Sequence, residues 1–285
     1  MNTELTHMLR IPAAPNSIQK GVPLKHLLGS EAIDCLAHNI LLVYPPFDEH
    51  SFRKAALAGL EPLGIMARGQ HFAKALRPCL PDKYSQAIEI LLASLTPPHT
   101  ETEGLGLAVL FYHTHSCFIS EYGLDSKHNS GEDPFEVSMK AQYELTKRSS
   151  SEFSIRPFLI QHQDRTLARL IEWASDSDPH VRRLCSEGTR SRLPWAPRIP
   201  AFITNPSPVL PILEALKNDP SLYVRRSVAN HLGDIAKDHP EIVFAICERW
   251  LDGASKEVKW LIRHALRHPA KKLNKTALRL RVAAK

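Results

Sequence analysis

The chain has 285 residues, 43% of them hydrophobic and 23% charged, with a formal net charge of +6. That composition excludes a disordered or low-complexity chain and is enough for one large core or two. The five cysteines share no Cys-x-x-Cys spacing and no stretch approaches a membrane-spanning apolar run, so a zinc site, a disulfide framework and a membrane span are not expected.

Residues 1–22 carry scattered prolines and the stretch "AAPNS", and are expected to form a loose leader without the apolar core of a signal peptide. From Leu24 onward helical patterning dominates, and residues 23–285 are expected to form a single repeat domain of about a dozen helices. "SFRKAALAGLEPL", "GQHFAKALRPCL" and "KYSQAIEILLASL" each place apolar residues at i, i+3 and i+4. "HTH" at 113–115 has no further ligand at metal-binding spacing, so His113 and His115 are expected as core or groove histidines and no metal is expected. "DSKHNSGEDP", 125–134, reads as an exposed loop. Strand alternation and Asn-Gly hairpin signals are missing throughout.

The second half repeats itself. "DPHVRRLCSEG" begins at 178, "DPSLYVRRSVANHL" at 219 and the weaker "KEVKWLIRHAL" at 256. Val181, Val224 and Val258 then fall at equivalent positions, spaced 43 and 34 residues apart. Each copy follows another helical segment: "RTLARLIEWA", "PVLPILEALK" and "PEIVFAICERW". Helix pairs recurring at such periods specify an all-α, HEAT-like helical-repeat solenoid. Asp-Pro at the head of the first two copies suits a helix start, with Asp as cap and Pro in the first helical position.

Charge is distributed unevenly. Residues 1–144 hold 11 Lys+Arg against 16 Asp+Glu, a net −5, and residues 145–285 hold 25 against 14, a net +11. The repeat alignment concentrates that positive charge. One position after each valine stand Arg182, Arg225 and Lys259; next come Arg183, Arg226 and Trp260; six after it come Glu187, Asn230 and His264. Stacked repeats bring equivalent positions side by side, so a cationic ridge on one face, the concave one, is expected. Arginine density favours phosphate as its partner, because the guanidinium offers several donors in a planar fork.

"SEFSIRPFL" (151–159), "PHVRRLCSEGTRSRLPWAPRIPAF" (179–202) and "DPSLYVRRSVANHLGDIAKDHPE" (219–241) resemble the AlkC branch of the AlkC/AlkD-type DNA alkylation repair glycosylases. The likeness extends more weakly through "EYGLD" (121–125) back to about Leu24 and forward to "WLIRHALR". It implies a solenoid with a concave DNA-binding face. It also implies hydrolysis of the N-glycosidic bond of positively charged alkylated bases, notably 3-methyladenine, in duplex DNA. The sequence departs from the family pattern in a longer segment at 126–140, in Ser191 where proline is usual, and in Gly233 where asparagine is usual.

Cleaving a glycosidic bond builds positive charge on the sugar, which a carboxylate can stabilise while orienting water. An alkylated base leaves as a neutral molecule and presents a cationic ring that an aromatic face can hold. The resemblance and this chemistry together assign Glu152, Glu187 and Trp195 to catalysis, with no cofactor. Arg182, Arg183, Arg190, Arg225, Arg226, Asn230, His231, Lys237, Trp260 and Arg263 are the expected DNA contacts. The bland alternatives are a helix salt bridge for Glu187, a capping box at Ser149-x-x-Glu152, and a packed plug for Trp195. Trp173 and Trp250 read as core. A cytoplasmic monomer acting on alkylated double-stranded DNA, with no membrane contact, is the expectation. The rival is a non-catalytic HEAT-like module that binds DNA or scaffolds proteins.

Overall fold

Helix follows helix in the computed structural model, which describes residues 7–285. Among the described residues there is no strand, and sixteen α-helices alternate with short 3-10 turns. The count exceeds the dozen expected because prolines and short breaks divide apolar stretches into pieces of five to seven residues, such as Pro200–Thr204 and Leu210–Leu216. The chain divides into two compact units, residues 1–154 and 155–285.

The first unit contains α1 (Ser30–Val43), α2 (Glu49–Leu57), α3 (Ile65–Leu76), α4 (Tyr84–Ala93), α5 (His113–Tyr122) and α6 (Phe135–Thr146). Its core is built on Leu36, Phe52, Phe72, Tyr84 and Phe118, each at most 1% exposed. The described part of the leader is tied to this unit. Asn39 on α1 accepts from the Arg10 backbone N–H at 3.0 Å and donates to its carbonyl at 2.8 Å. Residues 125–134 are largely exposed, as expected, but Asn129 is buried and accepts from the Ser85 backbone N–H at 3.0 Å. Both HTH histidines are buried: His113 packs on Gly69, and His115 lies between Phe111 and Tyr112.

The second unit contains α7 (Ile155–Gln161), α8 (Gln163–Trp173), α9 (Pro179–Gly188), α10 (Pro200–Thr204), α11 (Leu210–Leu216), α12 (Leu222–Ile235), α13 (Pro240–Leu251), α14 (Lys256–Ala265), α15 (Arg267–Lys271) and α16 (Lys275–Ala283). The repeats are the pairs α8/α9, α11/α12 and α13/α14. Their equivalent valines, Val181, Val224 and Val258, are all buried, and α9 packs on α12 as α12 does on α14. Asp178 caps α9 as expected, accepting from the His180 N–H at 2.8 Å with Pro179 in the first turn. The second Asp-Pro behaves differently. The helix starts at Leu222, and Asp219 accepts from the Ser221 N–H instead. Its carboxylate also takes Arg182 from the preceding repeat, at 2.6 and 3.1 Å. Trp250 is buried as expected, its indole N–H donating to Glu214 at 2.8 Å, whereas Trp173 is half-buried.

His115 and His231 are fully enclosed, one in each unit, and burial pushes each ring down to about 4. Both are therefore neutral in the folded protein at pH 6, while an unfolded histidine titrates near 6.5. The unfolded chain binds more protons between those values. Stability should thus fall as pH drops from 6.5 towards 4, by about 1.4 kcal/mol per pH unit for each histidine. Urea unfolding between pH 7 and 5 checks this, and a midpoint that does not move with pH would show that the rings are charged when folded.

Candidate functional site

The chemistry-bearing residues of the second unit gather where α9 meets α12. Glu187 sits in the last turn of α9, and Gly188 after it allows a close approach to α7. A Cβ at Gly188 would lie 2.6 Å from the Ile155 side chain, so only glycine fits. Glu187 is 5% exposed. Its Oε1 accepts from Arg190 Nη1 at 2.6 Å, with Arg183 Nη2 at 3.4 Å, and its Oε2 accepts from Ser227 Oγ at 2.6 Å. Burial alone would raise the Glu187 carboxyl. The Arg183 and Arg190 charges and the hydrogen bonds from Ser227 and Arg190 outweigh it and hold the group below the ordinary carboxylate range. Glu187 is therefore a buried anion, not the exposed helix salt bridge of the bland alternative.

Arg190 is committed to the protein. Its Nε donates to Asp234 at 2.8 Å and its Nη1 to Glu187, so it bridges two buried carboxylates. Burial opposes its charge, but Glu187 and Asp234 together raise it further above its ordinary value. Lys237 extends the chain of alternating charge, donating to Asp234 at 2.8 Å. Arg183 lies over the Tyr223 ring at 4.9 Å, which ties α9 to the next repeat.

The loop after α9 projects Trp195. The residue is 60% exposed and takes a left-handed backbone, φ +64°, which a bulky residue adopts only under constraint. The loop on either side of it is held by Arg156 on α7, which is completely buried. It donates to the carbonyls of Pro197 at 2.7 Å, Gly188 at 3.1 Å and Arg190 at 2.7 Å. Arg192 adds a paired contact to Asp238 at 2.8 and 2.7 Å. Trp195 is thus held out from the loop rather than plugged beneath it. Ser191, the departure from proline, is buried, and its carbonyl accepts from the Ile199 N–H at 3.2 Å.

Where α12 meets α14, three of the positions aligned in the sequence adjoin: Asn230, Trp260 and His264. Asn230 Oδ1 accepts from His264 Nε2 at 3.1 Å and from Arg267 Nη2 at 3.0 Å. Trp260 stacks on His264 with ring centres 5.1 Å apart. His264 is held down to about 4 by burial and by the Arg267 and Arg226 charges, so this aromatic pair is neutral at pH 7. Arg226 is exposed beside them.

Five expected DNA contacts are turned into the protein: Arg190, held between Glu187 and Asp234, and four more. Arg182 is a staple between repeats, bound to Asp219 and to the carbonyls of Asp176 and Ser177. Arg225 Nη1 grips the carbonyls of Asp219 and Pro220. Arg263 donates to the Ala284 carbonyl at the end of α16. His231 is 0% exposed and belongs to the core. Each of these side chains points to an acceptor or a core that linear spacing cannot reveal. Glu152 belongs to the first unit, half-buried in the turn over 151–154. The next helix begins at Ile155, three residues beyond Glu152.

Residues 148–273 match the family described as DNA alkylation repair enzyme. YhaZ of Bacillus subtilis (strain 168), a protein of uncharacterized function, is 39% identical over 258 residues, which is 90% of this chain and 67% of the relative. The chain belongs to the AlkC/AlkD-type DNA alkylation repair family. A solved structure of the Pseudomonas fluorescens alkylpurine DNA glycosylase AlkC, bound to DNA containing an abasic site analog, is similar to it. That match has a TM-score of 0.78 at 38% identity, covering 91% of this chain and 67% of that one. Within this family frame Arg156, Ser227 and Asp234 are residues that sequence reasoning missed. "SIRPF" lies inside a quoted motif, but neither burial nor partner can be read from it.

Proposed function

We propose that this chain is a DNA glycosylase that hydrolyses the N-glycosidic bond of cationic alkylated bases, of the 3-methyladenine type, in double-stranded DNA, the first step of base excision repair. The observation that carries the reading is Glu187, a buried anion between two arginines beside an arginine- and tryptophan-bearing ridge, in a DNA alkylation repair family. The cationic base leaves as a neutral molecule when the bond from its nitrogen to the sugar breaks, so it needs no proton donor. The sugar becomes oxocarbenium-like, and the negative field of Glu187 favours that charge. Water then adds to the anomeric carbon and gives its proton to a carboxylate or to solvent. Glu152 is the second carboxylate that the family resemblance assigns. Trp195 offers its exposed face to the cationic base, a contact worth about 0.5–2 kcal/mol. The expected setting is a cytoplasmic monomer on duplex DNA, with no cofactor.

Methylated duplex DNA incubated with the protein should release 3-methyladenine, read by chromatography, while uracil-containing DNA should release nothing. Uracil release at a comparable rate would defeat a mechanism that depends on the base's own charge. DNA binding without release would favour the non-catalytic module.

The ridge residues divide by their partners. Arg226→Ala should weaken binding to all sequences alike and flatten the dependence on salt by about one unit of slope. Arg182→Ala should lower melting temperature and leave that slope unchanged. Titrations at several salt concentrations test the division, and an unaltered slope for Arg226→Ala would remove it from the phosphate set.

A further inference from the structure

Ser227 occupies a position that its sister repeats fill with leucine. Three residues after the equivalent valines stand Leu184, Ser227 and Leu261, and both leucines are 0% exposed. Ser227 is itself buried, at 2%. A buried hydroxyl in an apolar row costs stability unless it is paired. Its partner is Glu187 Oε2, at 2.6 Å, across the joint between two repeats.

Arg190 and Arg183 approach Oε1 from the α9 side. From α12, Asp234 engages Arg190 and is itself met by Lys237, His231 is buried and neutral, and Tyr223 lies under Arg183. From α7, Arg156 binds the neighbouring carbonyls of Gly188 and Arg190. Held at Oε1 alone, a carboxylate still turns about its last torsion, which is broad and roughly two-fold. A second tether at Oε2 fixes its plane.

We propose that Ser227 is a positioning residue for base excision, a hydroxyl supplied by the next repeat that fixes the Glu187 carboxylate and favours its ionised form. The proposal rests on the reading that Glu187 acts on the developing sugar cation. A hydroxyl donating to a carboxylate stabilises the charged form, so its loss makes Glu187 easier to protonate. The acid limb of the excision profile should then move to higher pH.

The test is single-turnover release of 3-methyladenine from methylated duplex DNA across pH, with DNA affinity and melting temperature measured alongside. Ser227→Ala should bind DNA like the wild type and excise about ten- to a hundredfold more slowly at neutral pH, with the acid limb moved upward. Ser227→Cys, which keeps the volume with a weak donor, should behave like the alanine variant. Ser227→Thr, which keeps the hydroxyl, should recover most of the rate. A folded Ser227→Ala protein with wild-type rate and pH profile overturns the proposal and leaves the glycosylase reading standing. Equal losses for alanine and threonine also overturn it, because they point to packing alone. A wild-type protein that releases no base overturns both.

Discussion

Glu187→Gln is expected to leave a folded, DNA-binding protein whose excision of 3-methyladenine falls by orders of magnitude. Glutamine preserves the shape and has a way to fit. Its carbonyl oxygen can face Arg190, and its amide can donate to Ser227, whose hydroxyl can turn to accept. Only the negative charge is lost. Stability should fall by about 1–3 kcal/mol, since Arg183 and Arg190 lose part of their compensation. Asp234 still pairs with Arg190, which limits the damage. The rate loss should be far larger, because it removes an interaction that strengthens as the sugar becomes cationic. Glu152→Gln is expected to reduce excision similarly, and Trp195→Ala to cost less. Single-turnover release, DNA binding and melting temperature measured on each variant decide the matter. Near-normal excision by the Glu152→Gln/Glu187→Gln double variant would reduce both carboxylates to structural roles.

Arg190→Met should be the most destabilising single change at the site, at about 3–5 kcal/mol. The variant keeps the bulk of the side chain but leaves Glu187 and Asp234 buried without the cation between them. The loss is a large part of the margin of an ordinary domain, about 5–15 kcal/mol. Two further results separate this cause from lost packing. Asp234→Asn added to Arg190→Met should restore part of the stability by removing a buried carboxylate left with Lys237 as its remaining cation. The difference from wild type should also narrow as pH falls. In the wild type the lowered Glu187 carboxyl contributes stability above the unfolded carboxylate value, and that contribution is lost as pH falls through the folded one. Urea unfolding at several pH values measures both, and a constant difference would mean that charge burial is not the cause.

The local sequence reading carried far where the physics is local. The three-valine register placed α9, α12 and α14 correctly, because a helix must bury an apolar stripe at its own period and stacked helices must repeat it. Asp178-Pro179 marked a helix start, since capping involves atoms two residues apart. The same signal at Asp219-Pro220 misled by two residues: in the valine register Asp219 matches Asp176, and each accepts from the backbone N–H two residues on, just ahead of the helix.

Sequence by itself determined the all-helical class, the repeat register, the excess of positive charge in the second half and the motif that carries Glu187 and Trp195. Tertiary structure decided which arginines are available. Arg182, Arg190, Arg225 and Arg226 look alike as letters in their motifs, yet three are engaged with protein acceptors and Arg226 is exposed. Only packing put Ser227 and Asp234, 40 and 47 residues beyond Glu187, within reach of the Glu187–Arg190 pair. Only packing enclosed Arg156 beneath the loop that holds Trp195 outward. The physical reason is one of range. Helix periodicity and caps act within a few residues, whereas an ion's partners and its access to solvent are set by whatever the fold brings beside it.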